Sequence, residues 1–325
     1  MTDALEKLGD GGAQVFLGPE ANQRLAAWGD ADVVLNAITG AAGLLATLAV
    51  LEAGKTLALA NKESLVIGGR LVAEAAAPGQ ILAVDSEHSA IAQALKAGRA
   101  SEVRKVILTA SGGPFRGWPR AKLAKVTPEQ AMRHPTWSMG RVITINSATL
   151  VNKGLELLEA SLLYGIPLDD IEVVVHPQSV VHSGVEFVDG SAIFQASPPD
   201  MKLPIGRALS WPDLLPGVAK PCNWTRSAQW TFEPLDNEAF PAVVLAREAG
   251  EAGGTAPAVY NAANEVAVDA FCDGHLSFLR ITDMIATALA RHLDDSSFVG
   301  DDQLTLEAVL AADAWSRKLV AEMIN

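Results

Sequence analysis

The sequence has few cysteines, too few basic residues to balance its acidic ones, and no long hydrophobic run without turn residues. Its two cysteines, Cys222 and Cys272, form no CxxC pair, so neither a disulfide framework nor a zinc site is indicated. A reducing cytoplasm is therefore the expected compartment. The formal charge of −13 and the pI of about 4.9 argue against a broad nucleic-acid or anionic-membrane surface, because such partners require a basic field.

One uncharged stretch, residues 33–51 ("VVLNAITGAAGLLATLAVL"), approaches the length of a bilayer helix. Asn36, Thr39, Gly40 and Gly43 interrupt it, which predicts a short strand, a turn and an Ala/Leu-rich helix instead. No basic segment with a cleavage pattern precedes it, so no signal peptide is expected. We expect no membrane association.

Strand-like and helix-like segments alternate from residue 31 onward. The strands "DVVLNA", "KTLALA" and "QILAVD" are each followed by a helical pattern. Such alternation is typical of a parallel sheet with helices on its faces, the doubly wound α/β architecture. Functional side chains are then expected at the carboxyl ends of the strands, where "NKES" and "VDSEH" occur.

The rest of the chain divides into two parts. A mixed sheet is predicted from "VRKVILTA", "RVITIN", "IEVVVH", "VVHSGVEF" and "SAIFQAS", with the long helix "SATLVNKGLELLEASLLYG" between its strands. Proline punctuation between 198 and 221 indicates a boundary or linker, and the pattern beyond about 235 is helical throughout. The predicted domains are therefore 1–84, 85–220 and 221–325, and no internal repeat is present.

The stretch "VDSEH" places two carboxylates, Asp85 and Glu87, at a strand-to-helix turn. Such a pair suits a hard divalent cation such as Mg²⁺ or Mn²⁺, which prefers oxygen ligands. The alternative is a helix N-terminus, where Asp acts as a cap and Glu interacts favourably with the dipole. Both interpretations are compatible with these five residues.

In the helix "INSATLVNKGLELLEA", Ser147 or Asn146 suits the N-cap, which would make the helix start an anion site. Asn152, Lys153 and Glu156 then share one face. The functional interpretation makes Glu156 a third metal ligand. The alternative is an exposed Lys–Glu pair.

Three other segments have a functional and a structural interpretation each. In "LTASGGPF", Ser111 can donate to a phosphate oxygen beside two glycines, or the segment is a simple turn. The segment "HPTWSMG" predicts either a lid over a ligand or a loop packed on the core. Lys62 in "NKES" either binds a ligand or is simply the first residue of the next helix.

Taken together and in order, these segments closely resemble the 1-deoxy-D-xylulose 5-phosphate reductoisomerase family of the non-mevalonate isoprenoid pathway. The resemblance extends from about residue 31 to the C-terminus. Its segments are "LALANKESLV", "VDSEHSAI", "LTASGGPF", "HPTWSMG", "INSATLVNKGLELLEA", "HPQSVVHS" and "NAANEVAVDAF". It implies a truncated Rossmann-like domain, an α+β catalytic and connective domain with a lid, and a C-terminal helical bundle.

The resemblance also implies a role for individual residues. The metal ligands for Mg²⁺ or Mn²⁺ would be Asp85, Glu87 and Glu156, and the catalytic set would add Lys153 and His134 to these three. Substrate contacts would come from Lys62, Ser86, Glu87, Ser111, His134, Trp137, Ser147, Asn152, Lys153 and Glu156. NADPH would contact Asn61, Glu63 and Gly140. Trp137 and Met139 match the lid, while Ser179 and His182 lie in a signature close to the site, where His182 has either a binding or a structural role.

The reaction implied by the resemblance is the rearrangement of 1-deoxy-D-xylulose 5-phosphate followed by reduction with NADPH to 2-C-methyl-D-erythritol 4-phosphate. Members of the family are commonly homodimers in the cytoplasm. The substrate partner is thus a small sugar phosphate, and the ion would polarise its carbonyl.

The chain departs from the family pattern at its start, where a strand, a glycine-rich turn and a helix should hold the NADPH pyrophosphate. The stretch "LGDGGAQV" at 8–15 follows a helical fragment, and "TGAAG" at 39–43 matches a later crossover. One hypothesis is a truncated form that keeps the metal and sugar-phosphate site, binds NADPH poorly and is catalytically impaired. The other is that the native protein is longer.

Overall fold

The computed structural model describes residues 15–324, so most of the glycine-containing stretch at 8–15 lies outside the described residues. The strands are β1 (Val33–Asn36), β2 (Thr56–Leu59), β3 (Ile81–Ala83), β4 (Val103–Ala110), β5 (Ile171–Val175), β6 (Val181–Phe187), β7 (Ala192–Ala196) and β8 (Glu233–Pro234). They form a parallel sheet in the order β1-β2-β3 and a mixed sheet in the order β7-β6-β4-β5-β8.

The helices are α1 (Ala21–Ala26), α2 (Leu44–Glu52), α3 (Lys62–Ala75), α4 (Ser86–Ala94), α5 (Arg120–Leu123), α6 (Pro128–Ala131), α7 (Arg141–Thr149), α8 (Val151–Tyr164), α9 (Lys202–Ser210), α10 (Ala242–Ala252), α11 (Ala256–Cys272), α12 (Phe278–Leu293) and α13 (Leu306–Ile324). Short 3-10 turns lie at Gly40–Gly43, Leu95–Ala97, Ala100–Glu102, Leu168–Asp170 and Asp301–Gln303.

The first sheet confirms the predicted strand and helix alternation. Each strand runs into the helix that follows it, and in-register parallel pairing aligns the carboxyl ends of β1, β2 and β3 on one edge. The stretch at 33–51 is indeed divided into β1, a 3-10 turn and α2. Among the described residues, the structure contains no helix long and apolar enough to cross a membrane.

The second sheet is mixed, as predicted. Strand β4 pairs parallel with β5 and antiparallel with β6, while β7 and β8 add antiparallel edges. Its core is continuous with that of the C-terminal helices α10 to α13, which confirms the helical pattern predicted beyond residue 235. Ala258 of α11 and Val309 of α13 also pack into the core of the first sheet.

One predicted strand is wrong. The segment "RVITIN" reads as extended because β-branched side chains dominate it, yet it forms the first turns of α7. Thr144, Ile145, Ala148 and Thr149 of this helix are buried, and their spacing is that of one helical face. Tertiary packing of this face therefore overrides the local preference for a strand.

The predicted N-cap at Ser147 or Asn146 is also wrong, since both residues lie inside α7. The break comes at Leu150, which adopts φ 63° between α7 and α8. The Thr149 hydroxyl donates to the carbonyls of Ile145 and Asn146 and faces the N–H of Val151 at 3.4 Å. Such side-chain bonds compete with the helical ladder and favour a break here.

The proline-containing stretch 198–221 is not merely a linker, because it contains α9. Pro204 and Gly206 are buried within that helix. Lys96, just beyond α4, places its ammonium 3.9 Å from the ring centre of Trp211, which follows α9. This contact holds α9 beside the helix that begins with the "VDSEH" carboxylates.

Candidate active site

A cavity of about 270 Å³ lies where the carboxyl edge of the first sheet meets α8 and the second sheet. Most of the residues singled out from sequence line it. These are Lys62, Asp85, Ser86, Glu87, Ser111, His134, Trp137, Met139, Ser147, Asn152, Lys153, Glu156, Ser179 and His182. The structure thus brings together side chains from segments that are far apart in sequence.

Three carboxylates meet on one side of the cavity. Asp85 and Glu87 come from the β3–α4 turn and Glu156 from α8, and one ligand oxygen of each lies within 4.8 Å of the others. Among residues 15–324, this is the one group of three or more acidic, His or Cys side chains with such spacing. Asp85 also caps α4, since its Oδ1 accepts from the N–H of Glu87 at 3.3 Å. The cap leaves Oδ2 facing the cavity cluster, so capping and metal binding are compatible.

Two lysines neutralise much of this charge. Lys62 Nζ lies 2.5 Å from Asp85 Oδ2 and 2.9 Å from Glu156 Oε1. Lys153 Nζ lies 2.7 Å from Glu87 Oε1 and also contacts Glu156. Lys153 is 4% exposed and Glu156 1% exposed, so the interpretation of this pair as an exposed surface pair is wrong.

The mutual proximity of these charges shifts their pKa values. Burial opposes the ionisation of Asp85, but the charges of Lys62 and His88 lower its pKa below the usual range. Burial, with the charge of Glu156 added to it, raises the pKa of Glu87 to about 7. Burial alone would lower the pKa of Lys62, whereas the neighbouring carboxylates of Asp85 and Glu156 raise it well above the ordinary value. The ionised side chains of this cluster are therefore stabilised by pairing with opposite charges rather than by solvent.

Asn152 completes the polar wall between the lysines. Its carbonyl oxygen accepts from Lys62 Nζ at 3.0 Å, and its amide donates to Glu156. Ser86 donates to Glu87 from the start of α4. The face of α8 predicted to carry Asn152, Lys153 and Glu156 is thus turned toward the cavity.

A second part of the cavity is formed by neutral hydrogen-bonding groups. Ser111 Oγ lies 3.1 Å from His134 Nε2 and accepts from the N–H of Gly113 at 3.2 Å. Nδ1 of His134 accepts from the backbone N–H groups of Thr136 and Trp137. Nδ1 therefore cannot carry a proton, so the ring is neutral with its proton on Nε2. Burial correspondingly lowers the pKa of His134.

Ser147 lies nearby in the last turn of α7, so it reaches the cavity as a side chain and not through a helix N-terminus. Gly113 makes this approach possible. Its φ is +65°, and a Cβ there would lie 2.8 Å from the carbonyl oxygen of Ser147. The two backbone segments touch because residue 113 has no side chain.

The segment "HPTWSMG" is irregular and forms one wall of the cavity with Trp137 and Met139. Sequence reasoning missed Met201, which lines the cavity from the segment before α9. The prolines around Met201 indicated a linker. The signal that could have pointed to Met201 is the presence of an apolar side chain within that linker-like stretch.

The two histidines of "HPQSVVHS" differ in role. His176 donates from Nδ1 to the carbonyl of Thr231 at 2.9 Å, and its Nε2 accepts from the N–H groups of Val180 and Val181. These hydrogen bonds of His176 stabilise the turn, in which Ser179 adopts φ 50°. His182 donates from Nε2 to the carbonyl of Ser197 at 3.1 Å and lines the cavity.

The three residues expected to contact NADPH lie outside this cavity. Asn61 is 1% exposed and caps α3, accepting from the N–H of Ser64 and donating to Gly40 and Glu63. Gly140 is exposed at the start of α7. Asn61 and Glu63 follow β2, at the edge of a parallel sheet where dinucleotides bind.

This fold and cavity define a doubly wound α/β protein with a buried site of three carboxylates and two lysines, a set of oxygen ligands that suits a hard divalent cation. Family models match in three places: 1-deoxy-D-xylulose 5-phosphate reductoisomerase over residues 2–69, its C-terminal domain over 81–164, and the DXP reductoisomerase C-terminal domain over 196–319. The chain belongs to the 1-deoxy-D-xylulose 5-phosphate reductoisomerase family.

Individual relatives support this family assignment. The 1-deoxy-D-xylulose 5-phosphate reductoisomerase of Cutibacterium acnes is 66% identical over 317 residues, which cover 95% of this chain and 78% of the relative. The solved enzyme from Zymomonas mobilis in complex with NADPH is 44% identical, with a TM-score of 0.89 over 100% of this chain and 83% of that one. A DOX-P reductoisomerase in complex with NADPH, fosmidomycin and magnesium is 38% identical, with a TM-score of 0.91 over 99% and 83%.

Proposed function

We propose that the chain converts 1-deoxy-D-xylulose 5-phosphate to 2-C-methyl-D-erythritol 4-phosphate with NADPH and a divalent cation, Mg²⁺ or Mn²⁺. The observation that supports this most strongly is the assembly of the three carboxylates and two lysines beside the Ser111–His134 group in one cavity. The relatives named for this reaction share that fold over nearly the whole chain.

Asp85, Glu87 and Glu156 would hold the cation, because three carboxylate oxygens at this spacing match the oxygen-rich sites that hard cations prefer. The bound cation would act as a Lewis acid toward the oxygens of the sugar phosphate. Lys153 and Lys62, whose ammonium groups already reach the carboxylates, would donate to substrate hydroxyls from the same wall.

The phosphate would lie against the neutral group at the other end of the cavity. Ser111 and Ser147 offer hydroxyls, and His134 offers its Nε2–H, all of which can donate to phosphate oxygens. Ser86 and Asn152 would contact the carbon chain between these two ends. Trp137 and Met139 would exclude water, as expected of a lid over the reacting atoms.

NADPH would supply the hydride for the reduction. Asn61, Glu63 and Gly140 are proposed to contact it from the edge of the first sheet and the start of α7. We further propose a cytoplasmic homodimer, for which the exposed Ile193 and Phe194 on edge strand β7 offer an apolar pairing surface. Sedimentation at the mass of a monomer would contradict the dimer, and recovery in a membrane fraction would contradict the location.

The test is NADPH oxidation by the 325-residue chain with 1-deoxy-D-xylulose 5-phosphate and Mn²⁺. We expect turnover in the wild type and a loss of at least about 100-fold in Glu156→Gln. Glu172→Gln, an exposed glutamate on β5, is the matched control and should turn over normally. Robust activity in Glu156→Gln would contradict the metal assignment.

A further inference from the structure

The proposed metal ligands come from two helices that must keep a fixed separation. Asp85 and Glu87 lie at the start of α4, and Glu156 lies in α8. Besides the contact of Lys153 with Glu87, two polar contacts join these helices in the part of the chain that the structure describes. Both involve His88, the residue immediately after Glu87.

The first contact is a buried ion pair. His88 Nε2 lies 2.7 Å from Glu159 Oε2, and the two side chains are 0% and 1% exposed. Glu159 follows Glu156 by three positions, so both project from the same face of α8. The pair therefore lies directly behind the carboxylate cluster.

The second contact holds the backbone of the same residue. The Tyr164 hydroxyl, at the end of α8, donates to the carbonyl oxygen of His88 at 2.6 Å. The rings of Tyr164 and His88 lie 6.3 Å apart. His88 is thus fixed to α8 through its side chain and through its main chain.

The ion pair is poorly explained as a source of stability. In the described residues, none of the ring nitrogens of His88 or carboxylate oxygens of Glu159 has a well-aligned hydrogen bond, so the 2.7 Å contact joins charges without good geometry. A buried pair of this kind barely recovers the desolvation of its charges. A role in fixing the distance between the helices accounts for its position beside two ligand residues.

We propose that Glu159 and Tyr164 are positioning residues that set the distance between Asp85 and Glu87 on α4 and Glu156 on α8. Neither touches the cation or the substrate. They act through His88, much as groups behind metal ligands orient them in other proteins. The inference rests on the metal site proposed above.

The experiment measures Mn²⁺ affinity by electron paramagnetic resonance on the 325-residue chain. Glu159→Gln keeps the shape of the side chain and removes its charge, and we expect affinity to fall about 10- to 100-fold. Tyr164→Phe removes only the hydroxyl, and a fall of about two- to tenfold is expected. The spectrum of bound Mn²⁺ should also change in both variants, because the ligand arrangement changes.

Tyr260→Phe is the matched control for a merely structural effect. Its hydroxyl makes the same kind of buried bond, to the carbonyl oxygen of Ala242 at 3.0 Å. It should lose a similar amount of unfolding stability to Tyr164→Phe and keep wild-type Mn²⁺ affinity. A double variant, His88→Gln with Glu159→Gln, removes both charges so that no lone buried charge remains, and it should fold well yet still bind Mn²⁺ weakly.

Outcomes separate the two proposals. If the wild type fails to bind Mn²⁺, the metal site itself is wrong and the positioning role falls with it. If the wild type binds Mn²⁺ and folded Glu159→Gln and Tyr164→Phe bind it equally well, the positioning role alone is overturned. The same holds if Tyr260→Phe weakens Mn²⁺ binding as much as Tyr164→Phe.

Discussion

Replacing Gly113 by alanine tests the contact between the Ser111 loop and α7. Gly113 has φ +65°, and a Cβ would lie 2.8 Å from the carbonyl oxygen of Ser147 and 3.2 Å from the Cα of Ala148. Both neighbours are backbone atoms of a helix with a buried face. They cannot move aside as a flexible side chain would.

The magnitude follows from two unfavourable contributions and one favourable one. A left-handed backbone costs an alanine about 1–2 kcal/mol, and overpacking in a tight interior costs about 1–3 kcal/mol. Loss of unfolded-state entropy returns about 0.4–1 kcal/mol. We expect Gly113→Ala to lower the free energy of unfolding by about 3 kcal/mol, within a range of about 1–5 kcal/mol.

Gly117 is the matched control in the same loop. Its φ is +75°, but nothing lies within 4 Å of a Cβ there. Gly117→Ala should therefore show only the backbone contribution, about 1 kcal/mol. Urea unfolding followed by circular dichroism gives both free energies.

The same substitution should affect ligand binding. The N–H of Gly113 donates to Ser111 Oγ, and a displaced loop would lose that bond and move Ser111 away from His134. We expect affinity for inorganic phosphate, measured by calorimetry, to fall about two- to tenfold in Gly113→Ala and to be unchanged in Gly117→Ala. If both variants are equally stable, the close packing of Gly113 on α7 is refuted.

Two other predictions concern the site, and a third concerns the Gly40–Gly43 turn that follows β1. Glu156→Gln should weaken Mn²⁺ binding by more than about 100-fold in calorimetry, because it removes one of the three charged oxygen ligands. It also leaves Lys62 and Lys153 with one carboxylate fewer. Near-normal affinity would exclude Glu156 as a ligand. The pKa of His134 is lowered on folding, so the unfolded chain binds more protons and stability should fall as pH drops below about 6.5. In His134→Gln, the unfolding free energy should depend less steeply on pH than in the wild type, by at most about 1.4 kcal/mol per pH unit. If the variant and the wild type show the same pH profile, the assignment of a neutral His134 ring is refuted. Away from the site, Glu265 accepts from the N–H of Ala41 in the Gly40–Gly43 turn at 3.2 Å, so Glu265→Ala, which removes the acceptor, should accelerate hydrogen exchange of that amide severalfold. Unaltered exchange would show that the contact does not hold this turn.

Most of the fold could be predicted because hydrophobic periodicity is local. The first sheet and the C-terminal helices follow patterns that repeat within single elements, and both are present as expected. The segment at 141–149 could not be predicted in this way. Its β-branched residues favour a strand, and only the buried surroundings of one face make it a helix.

Which side chains line the cavity could largely be predicted from the sequence, whereas their geometry could not. The family resemblance pointed to Asp85, Glu87 and Glu156, and the structure places one ligand oxygen of each within 4.8 Å of the others. That Lys153 is buried and that Ser147 lies in the last turn of a helix depend on packing between segments far apart in the chain, which has no counterpart in sequence spacing. The neutral His134 ring follows instead from a local turn, in which Nδ1 accepts from the N–H groups of Thr136 and Trp137, and the irregular backbone of that turn has no periodic pattern.

The charges of the cavity explain how an acidic protein can bind a sugar phosphate. Two lysines face three carboxylates, so the cluster has an excess of negative charge when all five are ionised, which agrees with the raised pKa of Glu87. A divalent cation would reverse the sign of that excess and attract the substrate's oxygens. The Ser111–His134 group is neutral and needs no cation to donate hydrogen bonds. Binding of inorganic phosphate there should therefore be nearly independent of Mn²⁺, whereas binding of the sugar end should require it.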